Sequence, residues 1–153
     1  MYTVYLAGPI SGLNFNESTW WRQTIAKELK DEIECFSPMR YKSYLADGGI
    51  IRDHYDQATT SPLSTQKGIM TRDFFDCQRA DLIIANLLDS RKVSIGTCME
   101  MAWAFAKHTP VIAIMEEEGN PHDHAMIRET IGFRVTTVEE AIELAKAILV
   151  TTV

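Results

Sequence analysis

What this sequence lacks narrows its chemistry first. Its three cysteines, Cys35, Cys77 and Cys98, are odd in number, widely spaced and without a CxxC pair. That excludes a disulfide framework and a cysteine zinc site, and it fits reduced thiols in a cytoplasmic protein. No apolar run approaches the length of a membrane span, and Met1-Tyr2-Thr3-Val4-Tyr5 lacks a basic region followed by a long apolar core, so neither a membrane nor a secretory role is expected. Lys and Arg form no cluster and the formal net charge is −6, which argues against a nucleic-acid polymer or an anionic lipid surface as partner. Small polar substrates remain. His122-Asp123-His124 places two imidazoles at i, i+2, but no third ligand accompanies them, and no metal is expected.

What is present reads as alternating strands and helices. At 153 residues and 46% apolar content the chain has enough material for one domain, 1–153, with a full core. Tyr2 to Ala7 is a short buried strand broken by Gly8-Pro9-Ile10-Ser11-Gly12, and a helix follows from Asn16 to Leu29, capped by Asn16 or Ser18. That turn is G-x-x-x-G and not the dinucleotide fingerprint G-x-G-x-x-G, so a nicotinamide site is not expected. Its backbone can still approach a sugar or phosphate closely, with the Tyr5 and Ser11 hydroxyls near; Tyr5 reads equally well as a core residue. Ile33 to Phe36 is a second strand. From Arg40 to Lys67 periodicity fails, and residues 40–67 are expected to form a lid whose Tyr41, Tyr44 and Tyr55 can stack on a nucleobase.

Further on, Gly68 to Ala80 predicts a helix on which Asp73 and Asp76 share a face and Arg72 pairs with Asp76 at i, i+4. By itself that pattern describes a solvated, salt-bridged surface. Strands are expected over Asp81 to Leu87, with Asn86 at the carboxyl end, and over Val111 to Met115 and Phe133 to Val135. A final helix spans Val138 to Leu149, capped by Thr136 or Thr137. Five strands alternating with helices predict an α/β fold: a three-layer αβα sandwich on a five-stranded parallel sheet, flavodoxin-like in strand order and Rossmann-like in layering.

The stretch that organises this pattern is Ser94-Ile95-Gly96-Thr97-Cys98-Met99-Glu100, a loop running from the third strand into the mouth of a helix. Such a mouth offers backbone N–H groups and the positive end of the helix dipole to an anionic or polar ligand, with Ser94 or Thr97 as cap. Glu100 lies one turn inside, and its helical neighbours Gly96, Thr97, Trp103 and Ala104 carry no charge. A carboxylate on an apolar stripe at the end of a parallel strand, where open α/β sheets bind ligands, reads as a positioned catalytic group. Cys98 reads as an apolar filler, since no His is near it in sequence.

Taken in order, Tyr5-Leu6-Ala7-Gly8-Pro9, Arg72-Asp73 ahead of Ala80-Asp81-Leu82, Ser94 through Glu100, and His124-Ala125-Met126-Ile127 resemble the nucleoside 2-deoxyribosyltransferases and their relatives that hydrolyse nucleoside 5′-monophosphates. The resemblance implies Glu100 as nucleophile, Tyr5 as the tyrosine that orients it, and Asp73 as the aspartate at sugar and base. With Ser11 from the first turn, Gly8, Asn86 and Gly96 are expected around the substrate, and Asn86 stands where transferases often carry Asp. Ser94 stands where the monophosphate hydrolases bind phosphate, and His124 and Met126 match a segment that reaches a neighbouring subunit's site, so a homo-oligomer is implied. The partners would be a nucleoside or nucleotide and a free nucleobase, and no metal or organic cofactor would be required.

The chemistry suits these residues in its own right. Breaking a C1′–N bond builds positive charge on the sugar, which a carboxylate can stabilise and then bond to, while the leaving base needs a proton from Asp73, Asp76 or a lid residue. Sugar transfer to a second base is the leading expectation and hydrolysis of a 5′-monophosphate the nearest alternative. A nucleotide-binding module without chemistry and a flavin carrier are rivals of other classes.

Overall fold

The computed structural model describes residues 1–54 and 61–150. Five strands, β1 (Tyr2–Ala7), β2 (Ile33–Phe36), β3 (Leu82–Asn86), β4 (Val111–Ile114) and β5 (Phe133–Val135), form one sheet in the order β2-β1-β3-β4-β5. Every adjacent pair is parallel. This is the expected flavodoxin-like order, whose direction reverses between β1 and β3, and ligands of such sheets sit beyond the strand ends at that point.

Alternation along the strands sorts the side chains into two cores. Val4, Leu6, Leu82, Ile84, Ile112 and Ile114 face helices α1 (Phe15–Leu29) and α5 (Val138–Leu149). Tyr5, Ala7, Ile83, Ala85, Val111 and Ala113 face α2 (Gln66–Arg79) and α3 (Ile95–Lys107). A period of two thus puts Tyr5 on the same side of the sheet as Glu100. Ala7, Ala85 and Ala113 are in register across β1, β3 and β4. Their short side chains let the first turns of α3 settle close over the strand ends.

Helix boundaries follow their caps. The start of α1 is fixed by Asn14, whose side chain accepts from Glu17 N at 2.8 Å while Glu17 returns a bond to Asn14 N at 2.8 Å. This reciprocal box corrects the expected cap at Asn16 or Ser18, and those two residues lie inside the helix. Ser94, one of the two expected caps, caps α3, which therefore includes Ile95 to Thr97. His108, in the left-handed region at φ 64, closes it. Thr137 caps α5 through a second box with Glu140. A short helix not anticipated from periodicity, α4 (Ala125–Thr130), is capped by His124; it is too short for a periodic stripe and sets only Ile127, with Ile131 at its end, partly against the second core.

Between β2 and α2 the described residues are irregular apart from 3₁₀ turns at Ser43–Leu45 and Pro62–Ser64. Their first half is anchored, not loose. Gly12 N donates to Ile51 O and Ile51 N to Leu13 O, both at 2.8 Å, and Ile51 is buried in a small cluster with Met39 and Leu45. Residue Tyr55 of the expected lid lies outside the described residues. No helix among the described residues is long and apolar enough to cross a membrane.

A tight point of the fold is Gly8, where β1 ends. A Cβ there would lie 2.8 Å from Asn86 O and 2.9 Å from Trp21 Cζ2, with no flexible side-chain tip to give way. Gly8→Ala is expected to lower stability by about 1–3 kcal/mol through overpacking, read as a lower urea midpoint at unchanged slope. An unshifted midpoint would mean that β1 and β3 part more easily than this contact implies.

Candidate active site

The carboxyl ends of β1 and β3 open into a cleft of about 530 Å³ whose walls include Gly8, Ser11, Asp73, Ser94, Gly96 and Glu100. Three separate elements bring these residues together. The turn after β1 supplies Gly8 and Ser11, α2 supplies Asp73, and the first two turns of α3 supply Ser94, Gly96 and Glu100. Gly96 meets nothing within 4 Å of where a Cβ would sit, so the space above it is open to a ligand.

Glu100 is only 7% exposed. Tyr5, fully buried beneath it, donates its hydroxyl to Glu100 Oε1 at 2.6 Å. Removal from water pushes the Glu100 carboxyl up to about 8, and Asp73 adds to the rise, while the Tyr5 hydroxyl, Arg22 and Lys42 oppose it. Burial and the same carboxylate hold the Tyr5 phenol well above its ordinary value, so it stays a donor. Asp73 is also raised, chiefly by burial, against Lys42 and Arg72. Its Oδ1 is buried without a hydrogen-bond partner among the described residues and lies 3.7 Å from Arg72 Nε, while the residue itself lines the cleft.

Two cations shape this site that periodicity gave no reason to choose. Arg22, 2% exposed, donates to the carbonyls of Leu6 at 3.1 Å and Gly8 at 2.9 Å, and also to that of Ser18. It clamps the end of β1 and sets a positive charge behind Glu100; burial lowers it to about 10. Its place beside Trp21, on the buried stripe of α1, was the one available hint. Lys42 is 1% exposed, lines the cleft and is lowered by burial to about 8. It comes from the irregular segment, where no pattern marks an inward residue.

Other expected residues fall elsewhere. Asp76 is fully buried and held by Arg40 at 2.6 Å and Arg79 at 2.8 Å, away from the cleft, so it is not the acid for a leaving base. The expected Arg72–Asp76 pair is absent: Arg72 donates instead to the carbonyls of Arg40 and Pro38. Burial, not solvation, explains the choice, since Asp76 can satisfy two guanidinium groups while Arg72 pins the turn after β2. Asn86 lines an adjoining cleft of about 460 Å³ with Trp20 and Trp21, and its Oδ1 accepts from Leu88 N at 3.2 Å. Tyr41 is exposed and Tyr44 packs against the Met39 cluster; neither lines the cleft. His124 caps α4 through Nδ1, and Met126 is 75% exposed. Neither reaches this chain's own cleft. His122 gives its Nε2 to the Ser94 backbone N–H at 2.8 Å, so the two imidazoles do not form a ligand pair.

Comparison with known proteins follows the same direction. A family model described as nucleoside 2-deoxyribosyltransferase matches residues 4–144. Among solved structures, a 2-desoxiribosyltransferase from Leishmania mexicana aligns at TM-score 0.66 and 17% identity, covering 99% of this chain and 100% of that one. A conserved protein from Enterococcus faecalis V583 aligns at TM-score 0.67 and 21% identity, over 97% and 99% of the two chains. A CMP N-glycosidase from Clostridium botulinum aligns at 0.57 and 20%, over 96% and 99%. At these identities the structural likeness speaks for the fold. A search of the curated proteins finds no match.

A raised carboxyl costs stability once ionised, and the sign is fixed. Between the ordinary value of 4.5 and about 8, the unfolded chain has released the Glu100 proton while the folded chain keeps it. Stability therefore falls with rising pH across that window and levels off above it. Glu100→Gln is expected to raise Tm over the parent, by a margin that widens from pH 5 to pH 8 and is constant beyond. A margin independent of pH would show that Glu100 titrates in its ordinary range.

Proposed function

Since the chain belongs to the nucleoside 2-deoxyribosyltransferase family, we propose that it cleaves the N-glycosidic bond of a deoxynucleoside through a covalent glycosyl-enzyme on Glu100 and passes the sugar to another nucleobase. The observation that carries this reading is the buried Tyr5–Glu100 hydrogen bond of 2.6 Å at the wall of a cleft that also holds Asp73. As the C1′–N bond weakens, the ionised Glu100 meets the positive charge on the sugar and bonds to C1′ from the opposite face. Tyr5 keeps the other carboxylate oxygen free for that attack. Asp73, raised by burial, supplies a proton or hydrogen bond to the departing base. A second base then attacks the glycosyl-enzyme and configuration at C1′ is retained.

In this reading the described part of the expected lid, which sets Lys42, Arg52 and Asp53 at the cleft, helps to exclude water and so favours transfer over hydrolysis. His124 and Met126, exposed and outside their own cleft, complete the site of a neighbouring copy in a homo-oligomer. Gly8 and Ser11 bring the first turn against the substrate, and Gly96 leaves room for it over the mouth of α3. Asn86, in the adjoining cleft, bounds the substrate only at that cleft's shared edge.

A second reading, hydrolysis of a nucleoside 5′-monophosphate, is favoured by a separate observation. Lys42, Arg52 and Lys92 line the same cleft as Ser94 and the first turn of α3, and although Asp53 beside them pairs with Lys92 at 3.8 Å, the excess of cations at that end suits a phosphate. Incubation with a deoxynucleoside plus a different free base, and separately with a deoxynucleoside 5′-monophosphate, separates the two readings. A new nucleoside in the first mixture supports transfer; base release from the monophosphate alone overturns it in favour of hydrolysis.

The variants are equally specific. Glu100→Ala is expected to abolish turnover by at least about 10³-fold with the fold intact; tighter or equal ligand binding, with no turnover in the parent, would instead mark a binding module. For the parent, kcat/KM should rise with pH to a plateau near 8 as Glu100 ionises, and turn down where Asp73 has lost the proton that it gives the base. Tyr5→Phe, lacking the donor that favours the ionised form, should lower kcat/KM at pH 7 by about 10–100-fold and move the plateau to higher pH. A profile unchanged in Tyr5→Phe would remove Tyr5 from the account.

A further inference from the structure

The mouth of α3 is held from outside the cleft by a buried polar chain. Ser94 N–H donates to His122 Nε2 at 2.8 Å. Because Nε2 accepts, the ring proton sits on Nδ1, which faces Asn120 Oδ1 at 3.1 Å. Asn120 Oδ1 also accepts the His122 backbone N–H at 2.9 Å, while its amide donates to Leu87 O at 2.7 Å and Glu116 Oε2 at 2.6 Å. Glu116 Oε1 in turn accepts from Asp89 N at 2.7 Å. His122 is 1% exposed and Asn120 6%. The chain ties the exit of β3 and the loop after it to the cap residue of α3. Every ring nitrogen is used, and only the neutral imidazole with its proton on Nδ1 satisfies both ends.

Ser94 has two tasks that need its backbone fixed. Its Oγ accepts from Thr97 N at 3.4 Å and lies 2.9 Å from Thr97 Oγ1, and it lines the cleft beside Gly96. We propose that His122 is a positioning residue that fixes Ser94 for the 5′ end of the substrate, acting through the Ser94 backbone N–H without touching substrate itself. This rests on the second reading above, in which Ser94 lies at the phosphate of a nucleoside 5′-monophosphate. A buried imidazole with no role beyond packing would not need an acceptor aimed at the one backbone N–H that precedes the site helix.

Two near-isosteric variants test it. His122→Gln sets an acceptor oxygen near the Nε2 position; His122→Asn keeps a donor near Nδ1 but falls short of Ser94. Amide exchange at Ser94 should quicken about tenfold in His122→Asn, the scale of one net hydrogen bond, and stay near the parent rate in His122→Gln. For a deoxynucleoside 5′-monophosphate, KM should rise by a similar factor in His122→Asn with kcat little changed, and His122→Gln should restore it. The 5′-deoxy analogue of the nucleoside should show no such rise. Equal exchange in all three proteins, or an equal rise in KM with and without a 5′ substituent, would overturn the proposal. If the parent turns over neither nucleoside nor nucleotide, the glycosidase reading fails by itself. The Ser94 exchange rate then still decides the backbone contact, and the shift of Tm with inorganic phosphate, present in the parent and His122→Gln and lost in His122→Asn, decides whether that contact serves an anion; a shift equal in all three overturns it.

Discussion

Keeping a carboxylate out of water, close to a second one, is the constraint on which the rest of this structure depends. An isolated ionised carboxyl in an apolar site is too costly to persist, and it either takes a proton or is met by donors and cations. Glu100 is answered from several directions. Tyr5 donates from below, Arg22 lies behind the end of β1, and Lys42 comes in from the segment after β2. The balance leaves the group poised near 8, above its ordinary range but within reach of ionisation at working pH. Such poise suits the proposed role of Glu100, which would first be negative and then bond to carbon.

The fold supplies this balance through ordinary features. Strand alternation sends Tyr5 to the α3 side and Leu6 to the other, and the in-register alanines of β1, β3 and β4 let α3 come close. Gly8 lets the chain leave the sheet against the Asn86 carbonyl, and Arg22 bonds to the carbonyls that this exit frees. The stability lost by burying Glu100 is offset by two apolar cores on either side of the sheet, of which Tyr5 alone meets the Glu100 carboxyl. The active site thus concentrates the strain while the layers carry the fold.

Much of this was legible in the residues. The bounds of β1, β2, β5 and α5 follow directly from short apolar runs and from Thr137-x-x-Glu140, because period and capping are local properties. Glu100 stood out because four uncharged helical neighbours surround it at the end of a buried strand. The cap of α1 was harder to see: Asn14 and Glu17 form a box, yet Asn16 and Ser18 offer equally good side chains one turn later. Lys42, Arg22 and the fate of Asp76 were not legible, because each depends on a tertiary meeting. Arg40 reaches Asp76 across 36 residues of chain, and no helical spacing encodes that. His122 was visible as a residue but not as an acceptor, since its partner is a backbone N–H 28 residues away.

One measurement bears on the central claim more directly than any rate. A nucleoside carrying fluorine at C2′ destabilises the positive charge on the sugar and slows breakdown of a glycosyl-enzyme, so an intermediate formed on a carboxylate accumulates. Intact mass of the protein after such an incubation, followed by peptide mapping, should show one added fluorinated sugar on the peptide that contains Glu100, and none in Glu100→Gln. A stoichiometric adduct on another residue, or release of base from the parent with no adduct at any time, would contradict the account.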